Sequence, residues 1–180
     1  MIIIDFETNS SNIGDVVEVA IIKVSPTKKD GVFQVIDTFH RYYFSSFATN
    51  PYSLDVHGLS PHIIKQKREG VEADYPRLFK NDTDFEKFCI GTNIIVAHNL
   101  SFELRHISER ILFSRHLCTM KLNKTCVSAT GKTGKIKSPS LGETCSFYGI
   151  SFSETSHHGA LYDTERTLDI LNSMNRVLFE

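Results

Sequence analysis

Met1-Ile2-Ile3-Ile4-Asp5-Phe6-Glu7-Thr8 is the stretch on which the reading of this chain turns. Three consecutive isoleucines, each branched at Cβ, favour the pleated backbone of a strand. They are apolar on both faces, as in a strand covered from both sides. Side chains alternate along a strand, so Asp5 and Glu7 project to the same face, roughly 7 Å apart along the chain. Two carboxylates held that close repel unless a positive group lies between them. The simplest such group is a hard divalent cation, which prefers oxygen ligands. Two solvated acids at a strand end are the other reading, and this stretch alone does not choose between them.

The rest of the composition narrows the class. At 180 residues, 41% hydrophobic and 23% charged, residues 1–180 read as one domain with a sizeable core. A net charge of -1 excludes a global basic field, so any site for a polyanion must be local or built on cations. Cys89, Cys118, Cys126 and Cys145 form no CxxC pair, and none has a histidine at zinc-finger spacing. Reduced thiols in the cytoplasm are the expectation. No basic-then-apolar leader stands at the N-terminus and no apolar run approaches the roughly 18 residues of a membrane span, so a soluble protein with no membrane partner is expected.

Along the chain, Val16–Val24 and Gln34–Phe44 read as second and third strands, giving an antiparallel meander with the first. Glu18 within the second is either a surface residue or an acid supporting Asp5. Asn50–Ser60 reads as irregular, and Ser60-Pro61 opens a short helix. Thr83-Asp-Phe-Glu86 and Ser140-Leu-Gly-Glu143 are capping boxes, each opening a helix. Asn93–Ala97 is a buried strand, followed by a helix capped by Ser101 and running to about Phe113. Leu117–Met120 is a short strand or a strand-to-helix junction. Gly131-Lys132-Thr133 lacks the earlier glycine and the feeding strand of a phosphate loop. Ser128–Ser140 therefore reads as a basic flap, with Lys132, Lys135 and Lys137 either solvated or touching phosphate. The last helix spans Gly159–Phe179, with Leu161, Leu168, Leu171 and Val177 as its apolar stripe. Strands first, then strands alternating with helices, predict an α/β fold on a mixed sheet.

Residues capable of chemistry fall at the ends of three core elements: Asp5 with Glu7, His98-Asn99 with Glu103, and His157-His158 with Asp163. A carboxylate fixed on a helix beside a histidine on its entry segment suits a metal ligand and a general base. Taken singly, His158 is a loop residue and Asp163 an acid favoured by a helix dipole.

Asp5-Phe-Glu7-Thr8, Val96-Ala-His98-Asn99-Leu-Ser-Phe102-Glu103 and His158-Gly-Ala-Leu-Tyr-Asp163 resemble, in order, the three motifs of the DnaQ-like, DEDDh-type 3′-to-5′ exonucleases. That family includes the epsilon-type proofreading domains of bacterial DNA polymerase III. Asp15–Ala20, Val56–Ser60 and Pro139–Ile150 resemble its intervening segments, so the likeness covers nearly the whole chain.

The resemblance implies a ribonuclease-H-like, mixed five-stranded sheet with helices on both faces. It implies two divalent cations, Mg²⁺ or Mn²⁺, and hydrolysis of the terminal phosphodiester of single-stranded DNA, or less favoured RNA, to nucleoside monophosphates. By the same carry-over Asp5, Glu7 and Asp163 are metal ligands, and His158, chosen over His157 by the His-x4-Asp spacing, is the base. Thr8, Asn99 and Phe102 stand where the family meets the terminal nucleotide. Glu103 departs from the pattern, which has aspartate there. The extra methylene moves the carboxylate by roughly 1.5 Å, one carbon–carbon bond. Ligation after a helix shift, action through a water, and silence all remain open for it.

The rival expectations are a non-catalytic nucleic-acid-binding or polymerase-docking module of the same fold, and an RNA-trimming enzyme. Because the sequence stops just after the last helix, a free-standing enzyme, an excised domain and a subunit docking on a DNA polymerase by another surface are all compatible with it.

Overall fold

The alternation expected of the opening stretch sets the architecture. In the computed structural model, which describes residues 1–153 and 158–174, the strand β1 (Ile2–Thr8) lies at the centre of a five-stranded sheet. Ile2, Ile4 and Phe6 face one side, where they pack with Phe79, Phe85 and Ile107. Met1 and Ile3 face the other, against Leu141, Cys145, Leu168 and Leu171. Asp5 and Glu7 continue that second face at the end of the strand.

The sheet order is β3-β2-β1-β4-β5, with β2 (Val16–Lys29), β3 (Val32–Tyr42), β4 (Ile94–Ala97) and β5 (Arg115–Cys118). The first three strands are antiparallel, and β4 and β5 run parallel to β1, so the sheet is mixed as expected. β2 does not stop before Pro26 but continues to Lys29, and β3 begins at Val32. Register shifts around Val24 and Lys28 carry the pairing past the proline.

Helices cover both faces. On the Phe6 side are α3 (Asp84–Cys89) and α4 (Leu100–Ile107), and on the Ile3 side α6 (Leu141–Phe147) and α7 (Ala160–Ser173). α1 (Pro51–His57) and α2 (Pro61–Gly70) follow β3, and α5 (Thr119–Val127) follows β5 directly. α1 occupies a stretch expected to be irregular. Its signals are local: Asn50 Oδ1 accepts the Tyr52 amide at 3.1 Å, Pro51 opens the first turn, and Gly58 closes it at φ 70°.

Two caps differ from expectation. Thr83 makes no capping hydrogen bond; Asp82 Oδ1 accepts the Asp84 amide instead, while Glu86 is drawn away to Arg110 Nε at 2.7 Å. α4 begins at Leu100 and ends at Ile107, so Ser101 lies inside it, and its hydroxyl donates to Asn99 Oδ1. The second capping box is present, with Glu143 N–H to Ser140 Oγ at 3.2 Å and Ser140 N–H to Glu143 Oε2 at 2.7 Å. His157, Val177 and the end of the expected last helix lie outside the described residues.

Candidate active site

The C-terminal ends of the neighbouring strands β1 and β4 meet the start of α7. Glu7 arrives from β1, Asp163 from the first turn of α7 and Glu103 from the first turn of α4. All three are buried, at 8%, 6% and 2% exposure, and Asp5 is half-buried beside them. α7 reaches the sheet because its buried stripe, Asp163, Thr164, Thr167, Leu168 and Leu171, follows helical spacing. Thr164 bonds back to Ala160 O at 2.7 Å and reaches Ala20 O of β2 at 3.4 Å.

These residues line a cleft of about 380 Å³ with Phe6, His98, Asn99, Phe102, Leu141 and His158. One ligand atom from each of Glu7, His158 and Asp163 lies within 4.8 Å of the others. His158 is held in the left-handed region, at φ 67°, costly backbone for a residue with a Cβ. Of the residues expected at the site, the cleft gathers Asp5, Glu7, Asn99, Phe102, Glu103, His158 and Asp163. Thr8 sits at the strand end, outside the lining. Lys132 and Lys135 are exposed on the flap, and Lys137 is taken by Glu143, its Nζ 2.7 Å from Oε1.

His98 has a structural part. Its Nε2 lies 3.1 Å from the Pro139 carbonyl, which can only accept, so Nε2 carries the proton. In the neutral ring Nδ1 then accepts from the Thr119 hydroxyl at 3.0 Å. The end of β4 is thereby tied to the start of α5 and to the segment entering α6.

Electrostatics mark the site as unbalanced. Burial, and then Asp5, Glu18 and Asp163, push the Glu7 carboxyl up to about 10. Desolvation, followed by Asp163 and Glu18, holds Asp5 well above the usual carboxylate range. Burial with Asp5 and Glu7 does the same to Glu103. Glu103 Oε2 has no hydrogen-bond partner among the described residues. A buried cluster of acids with an orphaned oxygen is the environment a divalent cation would neutralise, so the donor set fits the metal ions the family resemblance implies.

Two further groups belong to this electrostatic neighbourhood. Glu18 stands directly opposite Glu7 in the β1–β2 register, is buried, and lies 2.7 Å from His40 Nε2. Its carboxylate also faces the Tyr42 phenol, which burial and then Glu18 push upward. This settles the choice left open for Glu18 in favour of an interior acid; strand pairing, which the sequence does not print, was the missing signal. His57, at the end of α1, is lowered by burial, against the opposing effects of the Thr8 backbone and Glu18.

The sequence pattern of the RNase_T family, described as Exonuclease, matches residues 2–171. The chain belongs to this exonuclease family. Relatives include the PolC-type DNA polymerase III of Staphylococcus haemolyticus (strain JCSC1435), 31% identical over 184 residues, and that of Staphylococcus aureus, 30% identical over the same length. This chain is covered to 96% in each match but spans 11% of either polymerase. Among solved structures, Exonuclease X in complex with 5′ overhanging duplex DNA superposes with a TM-score of 0.68 at 23% identity, covering 99% of this chain and 93% of that one. Escherichia coli exonuclease I in complex with a dA16 oligonucleotide gives 0.67 at 12% identity, over 95% of this chain and 39% of that one. The likeness to these structures establishes the fold, a mixed sheet with helices on both faces. No helix among the described residues is long and apolar enough to cross a membrane.

Proposed function

We propose that this chain is a metal-dependent 3′-to-5′ exonuclease acting on single-stranded ends, DNA in preference to RNA, in the cytoplasm. The observation that carries the reading is the convergence of Glu7, His158 and Asp163 donor atoms in a cleft that also holds Asp5 and Glu103. The DNA in the Exonuclease X and exonuclease I complexes supports the substrate class, and the PolC-type relatives support a polymerase as partner.

Asp5, Glu7 and Asp163, with Glu103, would hold two divalent cations, Mg²⁺ or Mn²⁺. Bound there, such ions supply the charge that lets water lose a proton near neutrality and that stabilises the departing oxygen. His158, on the segment entering α7, takes the proton of the attacking water at a ring nitrogen. The water oxygen bonds to the terminal phosphorus, the bond to the 3′ oxygen of the preceding nucleotide breaks, that oxygen takes up a proton from solvent, and a nucleoside monophosphate leaves. Phe102 offers a ring face to the terminal base, and Asn99, exposed at the start of α4, a polar contact.

The test is release of labelled mononucleotide from 3′-end-labelled single-stranded DNA, with a matched RNA, in Mg²⁺ and in Mn²⁺. Asp163→Asn should lower release by on the order of a thousandfold. Release unchanged by that substitution, or no release from either polymer, would overturn the reading in favour of a binding module.

A further inference from the structure

None of the seven residues of α1 is buried, yet the helix is fixed at both ends beside the cleft. At its start the anchor is Asn9, a buried residue directly after β1. Asn9 Oδ1 accepts the Asn50 amide at 2.9 Å. Its Nδ2 donates to Ser45 Oγ and Ala48 O, each at 3.1 Å, and to Asp15 Oδ2 at 3.2 Å. Asn9 stands two residues beyond Glu7, at most ~7 Å of extended chain. At the other end, His57 Nδ1 accepts the Leu59 amide at 2.9 Å. Burial, the Thr8 backbone, Glu18 and His158 together set the basicity of that ring, which puts this end of α1 against the cleft as well. The helix is a rim of the cleft.

What this rim presents to solvent is aromatic and short of positive charge. Tyr52, in the first turn of α1, is 83% exposed, and Phe47, on the segment entering it, is 55% exposed. A single exposed ring needs no explanation, but two beside one cleft do. Residues 8–15 and 45–60, which build the rim, contain no lysine or arginine. One cation reaches them from outside, Arg105 of α4, whose Nη2 donates to Ser11 O at 3.1 Å. A protein seated over α1 would stop the mouth of the cleft. Nucleobases fit instead: each has an uncharged π face, and stacking on an aromatic ring tolerates any sequence. We infer that Tyr52 and Phe47 form a stacking platform for the bases of a single strand, upstream of the nucleotide whose bond is cleaved. This rests on the reading that the cleft takes the 3′ end of such a strand. The platform holds nucleotides that the reaction does not touch, so its contribution belongs to KM and not to the chemical step.

The experiment measures steady-state mononucleotide release from single-stranded DNA of about a dozen nucleotides, in Mg²⁺ and in Mn²⁺. The unmodified protein is compared with Tyr52→Ala, Phe47→Ala, Tyr52→Phe and Asp163→Asn. Tyr52→Ala should raise KM about tenfold and Phe47→Ala by about threefold or more, while Tyr52→Phe, which keeps the ring, stays within about twofold of the unmodified protein. A second strand carries abasic sites in place of the bases upstream of the terminal one. It should raise KM for the unmodified protein by about as much as Tyr52→Ala does, and cost the Tyr52→Ala variant little more. An unchanged KM in both alanine variants overturns the inference. So does a full further loss on the abasic strand in Tyr52→Ala, because the ring would then act on something other than bases. Either result, beside release that Asp163→Asn abolishes, sinks the platform and leaves the exonuclease reading standing. No release by the unmodified protein sinks that reading, and the platform with it.

Discussion

Glu7 is the residue at which the repulsion within the site is most open to measurement. Its carboxyl is pushed up to about 10 from 4.5, by burial first and then by Asp5, Glu18 and Asp163. Below the ordinary glutamate range both the folded and the unfolded chain carry this proton, and the fold suffers no penalty. As pH rises from about 4.5 towards about 10 the unfolded chain gives the proton up and the folded chain resists, so stability falls across that window. For this one group the slope is at most about 1.4 kcal/mol per pH unit. Urea denaturation in a chelator at several pH values should show the decline, and Glu7→Gln should flatten it while raising stability at alkaline pH. A divalent cation should restore the unmodified protein most at high pH, where the acids are ionised together and repel most. Equal slopes for the two proteins would mean that Glu7 is not held under strain.

At the scale of elements, α1 offers a clean measurement, because a side chain added at its closing residue meets nothing. Gly58 stands at φ 70°, and a Cβ added there finds no atom within 4 Å. Gly58→Ala therefore tests backbone conformation alone and should cost about 1 kcal/mol, with Gly58→Asn costing less, by chemical denaturation. A neutral Ala substitution would show that the turn relaxes at no cost. This helix also shows where sequence reading stops. Asn50-Pro51 and Gly58 are sound start and stop signals, yet the seven residues of the helix include no buried one, so periodicity is silent. The same holds at Thr83, whose capping box is correct in letters but loses its acid to Arg110, a partner 24 positions away. Strand β1, by contrast, was legible in full, because alternation is a local property and both of its faces are read from the same seven residues. The cleft was legible in its acids, which sit at strand and helix ends. It was not legible in Glu18, whose place opposite Glu7 depends on register between two strands.

For the whole molecule, the decisive quantity is a net charge of -1 on a chain whose cleft is lined with acids. Among the described residues no lysine or arginine lines that cleft: Lys137 is engaged by Glu143, and Lys132 and Lys135 sit exposed on the flap. A single strand approaching by its phosphates therefore meets repulsion unless cations fill the cleft first. Binding, and not only turnover, should depend on divalent ions. Fluorescence anisotropy with a labelled oligonucleotide, using Ca²⁺ as an oxygen-seeking ion, should give an affinity on the order of 100-fold tighter than in a chelator. Raising the monovalent salt should weaken the Ca²⁺-supported complex only gently, because few Lys or Arg contacts release counterions; a slope of about two or three in the logarithmic plot is expected. A steep slope together with chelator-resistant binding would mean that a basic surface captures the strand. Lys132→Ala with Lys135→Ala would then be the variants to make, since they would remove the flap's exposed charge without touching the acids of the cleft.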